Sequence, residues 1–128
     1  MSTDPQHRPE PSPVFARTPE PPYYAVIFTT TQTDDGEGYG DTAAAMEALA
    51  LQQPGYLGIE SARSGGLGIT VSYWTDEVAI SAWRQNVLHA AAREQGRAQW
   101  YAHYELRVAK VERASNWDRP ASAEHPHQ

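Results

Sequence analysis

The chain has 128 residues, 40% of them apolar, which suits one domain with a modest core. Ten Lys and Arg against 16 Asp and Glu give a formal charge of −6, which counts against a general nucleic-acid binder, since that needs a basic face. Cys is absent, so disulfides, thiolate nucleophiles and Cys-based zinc sites are excluded too.

Seven of the ten prolines precede Tyr23, mixed with Ser, Thr, Gln, Glu and Arg. Residues 1–22 are therefore expected to be an extended, mobile tail. Tyr23 to Thr31 is dense in aromatic and β-branched residues and predicts a first strand. Thr33 to Gly40, with Asp34, Asp35 and Glu37, predicts a solvated acidic loop without the ordered oxygen spacing of a calcium site. From Tyr39 or Asp41 to Gln53 an Ala-rich helix is expected, with Met46, Leu49 and Ala50 on one face and Pro54-Gly55 as its stop.

Tyr56 to Arg63 predicts a second strand with Leu57 and Ile59 on one face. Ser64-Gly65-Gly66 then makes a tight turn into a third strand, Gly68 to Trp74. Alternation sends Ile69, Val71 and Tyr73 one way and Thr70, Ser72 and Trp74 the other. Thr75 is placed to cap a second helix that runs through Ile80, Trp83 and Leu88 to about Gln95, with Gly96 at its end. A last strand is expected from Tyr101 to Glu112, with Tyr101, His103 and Glu105 on one face and Tyr104, Leu106 and Val108 on the other. Glu60 with Arg63, and Arg107 with Glu112, are expected ion pairs. The folded unit is thus 23–113, and 114–128 is a flexible tail in which His125 and His127 are solvated.

The order β-α-β-β-α-β is the split pattern of ferredoxin-like α+β folds. It implies one antiparallel sheet with both helices on one face. The other face carries too much apolar surface to stay wet, so a partner sheet is expected to cover it. No run of about 18 apolar residues and no basic-then-apolar leader is seen, so we expect a cytoplasmic protein with no membrane or nucleic-acid partner.

Several segments resemble the antibiotic-biosynthesis-monooxygenase (ABM) domains of the dimeric α/β-barrel superfamily. They are Gln53-Pro-Gly-Tyr-Leu-Gly-Ile-Glu-Ser-Ala-Arg63, Gly68 to Trp74, Ala82-Trp83 with His89, Trp100-Tyr101, and Arg107 to Arg113. The resemblance covers Tyr23 to Arg113 and neither tail. It implies a homodimer packed through its sheet faces, with a pocket in each subunit between sheet and helices. It also implies oxidation of a small electron-rich aromatic by dioxygen without flavin, metal or other cofactor. The substrate, once deprotonated, supplies the electrons, and the protein supplies an apolar pocket and a few polar groups.

Trp83, where Trp recurs in the family's oxygenases, is the candidate pocket wall, helix packing being its other reading. His89 is the candidate general base, because a His titrates near neutral pH; a structural histidine is the alternative. Six residues separate the two, about 240° round a straight helix, so they are not expected on one stripe. Asn86 and Arg93 flank His89 as a polar edge. Tyr73, His103 and Tyr104 complete the candidate substrate contacts, although seam packing also suits the strand residues. No metal ligands are assigned. The haem-degrading branch is disfavoured: its pattern needs an Asn on the first strand and an axial His ten residues after the helix Trp, where this chain has Arg93. A dimeric module that binds a small apolar ligand without turnover is the alternative to the oxygenase.

Overall fold

The computed structural model describes residues 14–121, so His125 and His127 lie outside it. Along the chain come β1 (Tyr23–Gln32), α1 (Tyr39–Ala50), β2 (Tyr56–Ser64), β3 (Leu67–Trp74), α2 (Glu77–Gln85), α3 (Val87–Gln95) and β4 (Tyr101–Val111). A π-helical turn, Gly96–Trp100, joins α3 to β4. The strands form one antiparallel sheet in the order β2-β3-β1-β4, as the β-α-β-β-α-β order requires of a ferredoxin-like α+β fold. None of the helices among the described residues is long and apolar enough to cross a membrane.

The strands hold their expected places because their β-branched and aromatic content favours the half-buried pleat. Trp74 anchors the inner face at 1% exposure, and its indole N–H donates to the Ser72 hydroxyl at 2.9 Å. The helix-facing side of β3 is therefore Thr70, Ser72 and Trp74, with Tyr73 on the opposite side.

Three local expectations are corrected. The second helix is two: Asn86 sits at φ −61°, ψ 129°, and its side-chain oxygen accepts from the N–H groups of Leu88 and His89. An Asn can satisfy two orphan N–H groups at once, so it ends α2 and caps α3. The cap of α2 is Asp76, which accepts from Ala79 N–H at 2.8 Å, and not Thr75. Gly96 does stand at the end of α3, as expected, but in helical conformation at φ −60°, and its value there is space, since a Cβ would run into the Tyr101 ring.

The third correction is one of parity. Pairing of β1 with β4 shifts between Thr31 and Gln32, leaving Ala102 as an extra residue. Tyr101 therefore joins Tyr104, three residues on, instead of His103 and Glu105. A second shift in β2, at Leu57–Gly58, puts Tyr56 and Ile59 on the inner face together. Parity also separates Glu60 from Arg63. Glu60 lies on the outer face, and Arg63 instead bonds the Tyr39 hydroxyl at 3.2 Å. Arg107 pairs with Glu105, at 3.8 Å, and not with Glu112.

Part of the proline-rich stretch touches the outer face. The Ala16 N–H donates to the Glu60 carboxylate at 3.0 Å, and the Thr18 hydroxyl meets that of Tyr23 at 3.0 Å.

Candidate functional site

Between the inner face of the sheet and the helices lies a cavity of about 580 Å³. That volume is within the usual range for a small-molecule site. The cavity runs along the strands and has an aromatic cluster at each end. Trp74 pairs with Tyr24 near the start of β1, while Tyr101 pairs with Gln32 at its end. At about 3.3 Å per residue those ends are some 25 Å apart.

At the first end the rings of Tyr56, Trp74, Trp83 and His89 follow one another. Tyr56 meets Trp74 edge-on at 5.3 Å, and Trp74 meets Trp83 at 6.0 Å. The imidazole of His89 stacks on Trp83 with centroids 4.3 Å apart and planes 15° apart. On a straight helix these two rings would diverge. The break at Asn86 turns α3 so that His89 folds back over the preceding helix. In this place Nδ1 of His89 lies 3.0 Å from the Trp83 carbonyl oxygen. A carbonyl can only accept, so Nδ1 carries the proton and Nε2 holds the free lone pair.

Burial pushes His89 below its ordinary 6.5. The hydrogen bond to the Trp83 carbonyl opposes this, and the nearby Arg93 and Arg84 charges reinforce it. The ring is consequently neutral at physiological pH, which is the form a general base needs. The cavity's buried phenols behave differently. Burial, helped by the Glu47 charge, pushes Tyr56 up to about 12, and burial beside Tyr39 raises Tyr101 as well. They stay protonated and can donate hydrogen bonds, but they do not take protons at neutral pH.

The second end holds Tyr39, Trp100, Tyr101, Tyr104 and Phe28, with ring centroids 5.1–6.2 Å apart. Trp100 fixes the acidic loop by donating from its indole to the Glu37 carbonyl at 2.9 Å.

Of the residues singled out from the sequence, Trp83, His89, Arg93 and Tyr104 line this cavity. Asn86 does not; it acts from behind, as the cap that aims His89. Tyr73 and His103 point away from the cavity. Tyr73 is on the outer face, where its hydroxyl donates to Glu60 at 2.8 Å and its ring meets Tyr23. Burial, then the bond to Glu60, pushes that phenol up to about 12. His103 is exposed beside Glu105 at 2.8 Å. Sequence reading missed Tyr56, Trp74 and Arg84, and it grouped Tyr101 with His103 and Glu105 instead of with Tyr104. Only Trp74 carried a signal, since alternation already grouped it with Thr70 and Ser72. Among the described residues, no group of three or more His, Asp or Glu could hold a metal ion.

Comparison with known proteins bears on the fold and the family. The chain is 54% identical over 100 residues to the uncharacterized protein YqjZ of Bacillus subtilis strain 168, covering 77% of this chain and 88% of that one. Among solved structures it resembles SnoaB, a cofactor-independent oxygenase from Streptomyces nogalater, with TM-score 0.64 and 14% identity over 73% of this chain and 97% of that one. PA3566 from Pseudomonas aeruginosa superposes with TM-score 0.61 and 15% identity, over 76% and 99% of the two chains. At these identities the structural likeness speaks for the fold alone. The model of the antibiotic biosynthesis monooxygenase family matches residues 22–95, more than half of the sequence, and the chain belongs to that family.

Proposed function

We propose that the protein is a cofactor-independent monooxygenase that oxidises a small electron-rich phenol or hydroquinone-type aromatic with dioxygen. The observation that carries this is the His89–Trp83 pair. A backbone carbonyl fixes the imidazole tautomer at 3.0 Å, and burial keeps the ring neutral, so Nε2 is a base inside an aromatic cavity. His89 takes the phenol proton. The phenolate then gives electrons to dioxygen through its para carbon, one oxygen atom stays on the ring, and the other leaves as water. Phenol plus dioxygen thus balances against quinone plus water, with no other reductant. Trp83 supplies a flat wall for the ring, and the protonated Tyr56 is available as a hydrogen-bond donor.

The reading includes a cytoplasmic homodimer. The outer face exposes Ile69 at 44%, with Ile27 and Val71 beside it in register, and a second copy of the same face would cover them. Light scattering at micromolar concentration should give about 28 kDa, twice the 14.2 kDa chain. A stable 14 kDa species removes the dimer. For the chemistry, dioxygen uptake with a panel of phenols and hydroquinones is the test. Uptake no greater than that of a His89→Ala, Trp83→Ala double variant rejects the oxygenase. One observation favours the second reading, a ligand-holding module: the charged groups acting on His89 are the cations Arg93 and Arg84, with no carboxylate to steady an imidazolium. Ligand-induced thermal shifts without product would select it.

A further inference from the structure

Although the chain is net acidic, arginines dominate the charged lining of its cavity: Arg63, Arg84, Arg93 and Arg97, with Glu47 as the one carboxylate. The four differ in what already holds them. Arg97 is paired with Glu94 at 2.9 Å and bonded to the Tyr104 hydroxyl at 3.1 Å. Arg63 bonds the Tyr39 hydroxyl and lies over the Tyr39 ring, 5.3 Å from its centroid. Both belong to the Tyr101 end. Arg84 and Arg93 lie at the His89 end, where both charges act on the imidazole.

Arg93 is the more telling of the two. One terminal nitrogen donates to the Arg84 carbonyl at 3.0 Å, which sets the plane of the guanidinium. Its Nε is shut off from solvent and has no hydrogen-bond partner. A buried, charged donor left unpaired is costly, and native structures rarely leave one unless something else completes it. A guanidinium whose plane is fixed and whose N–H is free is the form that receives a planar oxyanion. The Arg93 side chain lines the same cavity as the stacked Trp83 and His89 rings.

We propose that the His89 end of the cavity is an oxyanion subsite, in which Arg93, with Arg84 at its rim, receives the carboxylate or phosphate of a ring-bearing organic anion. The ring then lies along Trp83, and the anion fixes which atom of that ring meets Nε2 of His89. This rests on the reading of the cavity as the substrate site, but it concerns binding, which can be measured without turnover. It narrows the substrate class from neutral phenols to aromatic acids or aryl phosphates.

Calorimetry with 2-naphthoate, 2-naphthyl phosphate and the neutral 2-naphthol separates these cases. At least one anion should bind tenfold or more tightly than 2-naphthol, and the tighter of the two names the anion's source. Arg93→Gln should abolish that preference while leaving 2-naphthol affinity within twofold. Arg84→Gln, on an exposed side chain, should weaken the anion several-fold and keeps the test open should Arg93→Gln fold poorly. Arg107→Gln, on the outer face, should change nothing. Equal affinity for all three probes overturns the subsite. So does a loss in Arg93→Gln that is the same for 2-naphthol as for the anions. An anion that binds by this pattern but is never oxidised leaves the subsite standing and counts against the oxygenase; oxidation of neutral phenols with no anion preference does the reverse.

Discussion

The two faces of the sheet use the same four strands and similar residues, yet only one borders the cavity. Each carries a tyrosine raised to about 12, a glutamate and a histidine. On the outer face these groups satisfy one another: Tyr73 donates to Glu60, which also takes the Ala16 N–H, and His103 bonds Glu105. On the inner face the histidine is held by a backbone carbonyl, and its second nitrogen is left over. The difference teaches that chemistry here depends less on residue type than on which polar atoms the fold leaves unpaired.

The largest expected effect separates the two histidines. His89→Ala should lower dioxygen-dependent turnover by about a hundredfold or more, the usual contribution of a positioned base. His103→Ala should leave turnover unchanged. Equal losses in oxygen-electrode assays would erase the distinction between the faces.

Next comes the packing that closes the inner face. Gly96→Ala places a methyl against the Tyr101 ring. Overpacking of this kind costs about 1–3 kcal/mol, which denaturant unfolding would read. The same change at Gly40 meets nothing within 4 Å and should cost little. Comparable losses at the two positions would mean that Tyr101 is not held as tightly as the fold implies.

Third is the hinge. Asn86→Ala removes the acceptor for two N–H groups and should cost about 1 kcal/mol of stability. It should also cost activity out of proportion, because a merged α2–α3 helix would carry His89 round away from Trp83. Loss of the ring stack is readable as a change in Trp fluorescence. Unchanged turnover with lowered stability would make Asn86 a cap and nothing more.

The sequence displays the strands, their order and the helix faces because period and turn chemistry are local signals. It hides the hinge for a physical reason. Ser81 to Gln95 reads as one continuous helical pattern, and Asn86 breaks it only because its side chain satisfies the next helix's N–H groups better than continued helix would. The extra residue at Ala102 has no local signature at all; pairing with β1 decides it, and it alone moves Tyr101 into the cavity. Gly58, at φ 149°, could have marked the matching shift in β2, since that backbone favours glycine. Trp83, His89 and Arg93 could be named as residues, but the contacts that give them roles come from the hinge.

The smallest expected effect is a pH dependence, and its sign follows from His89. In the unfolded chain the imidazole takes a proton near 6.5, whereas in the folded protein burial delays protonation to lower pH. Just below 6.5 the unfolded state therefore binds more protons, so stability rises with pH through that window and levels off above it. The full contribution is present above 6.5 and is lost as the pH falls. His89→Ala should shrink the difference in unfolding free energy measured at pH 8 and pH 5. Salt provides the contrast with the outer face. There the bond from His103 holds the Glu105 carboxyl below its usual range, but the pair is exposed and ionic strength screens it. High salt should erase whatever His103→Ala changes and leave most of the His89 difference intact, because that difference comes from burial. Were the His89 difference to vanish in salt as well, charge from Arg93 and Arg84 would be its source, and the base would be tuned by the same arginines that are proposed to hold the anion.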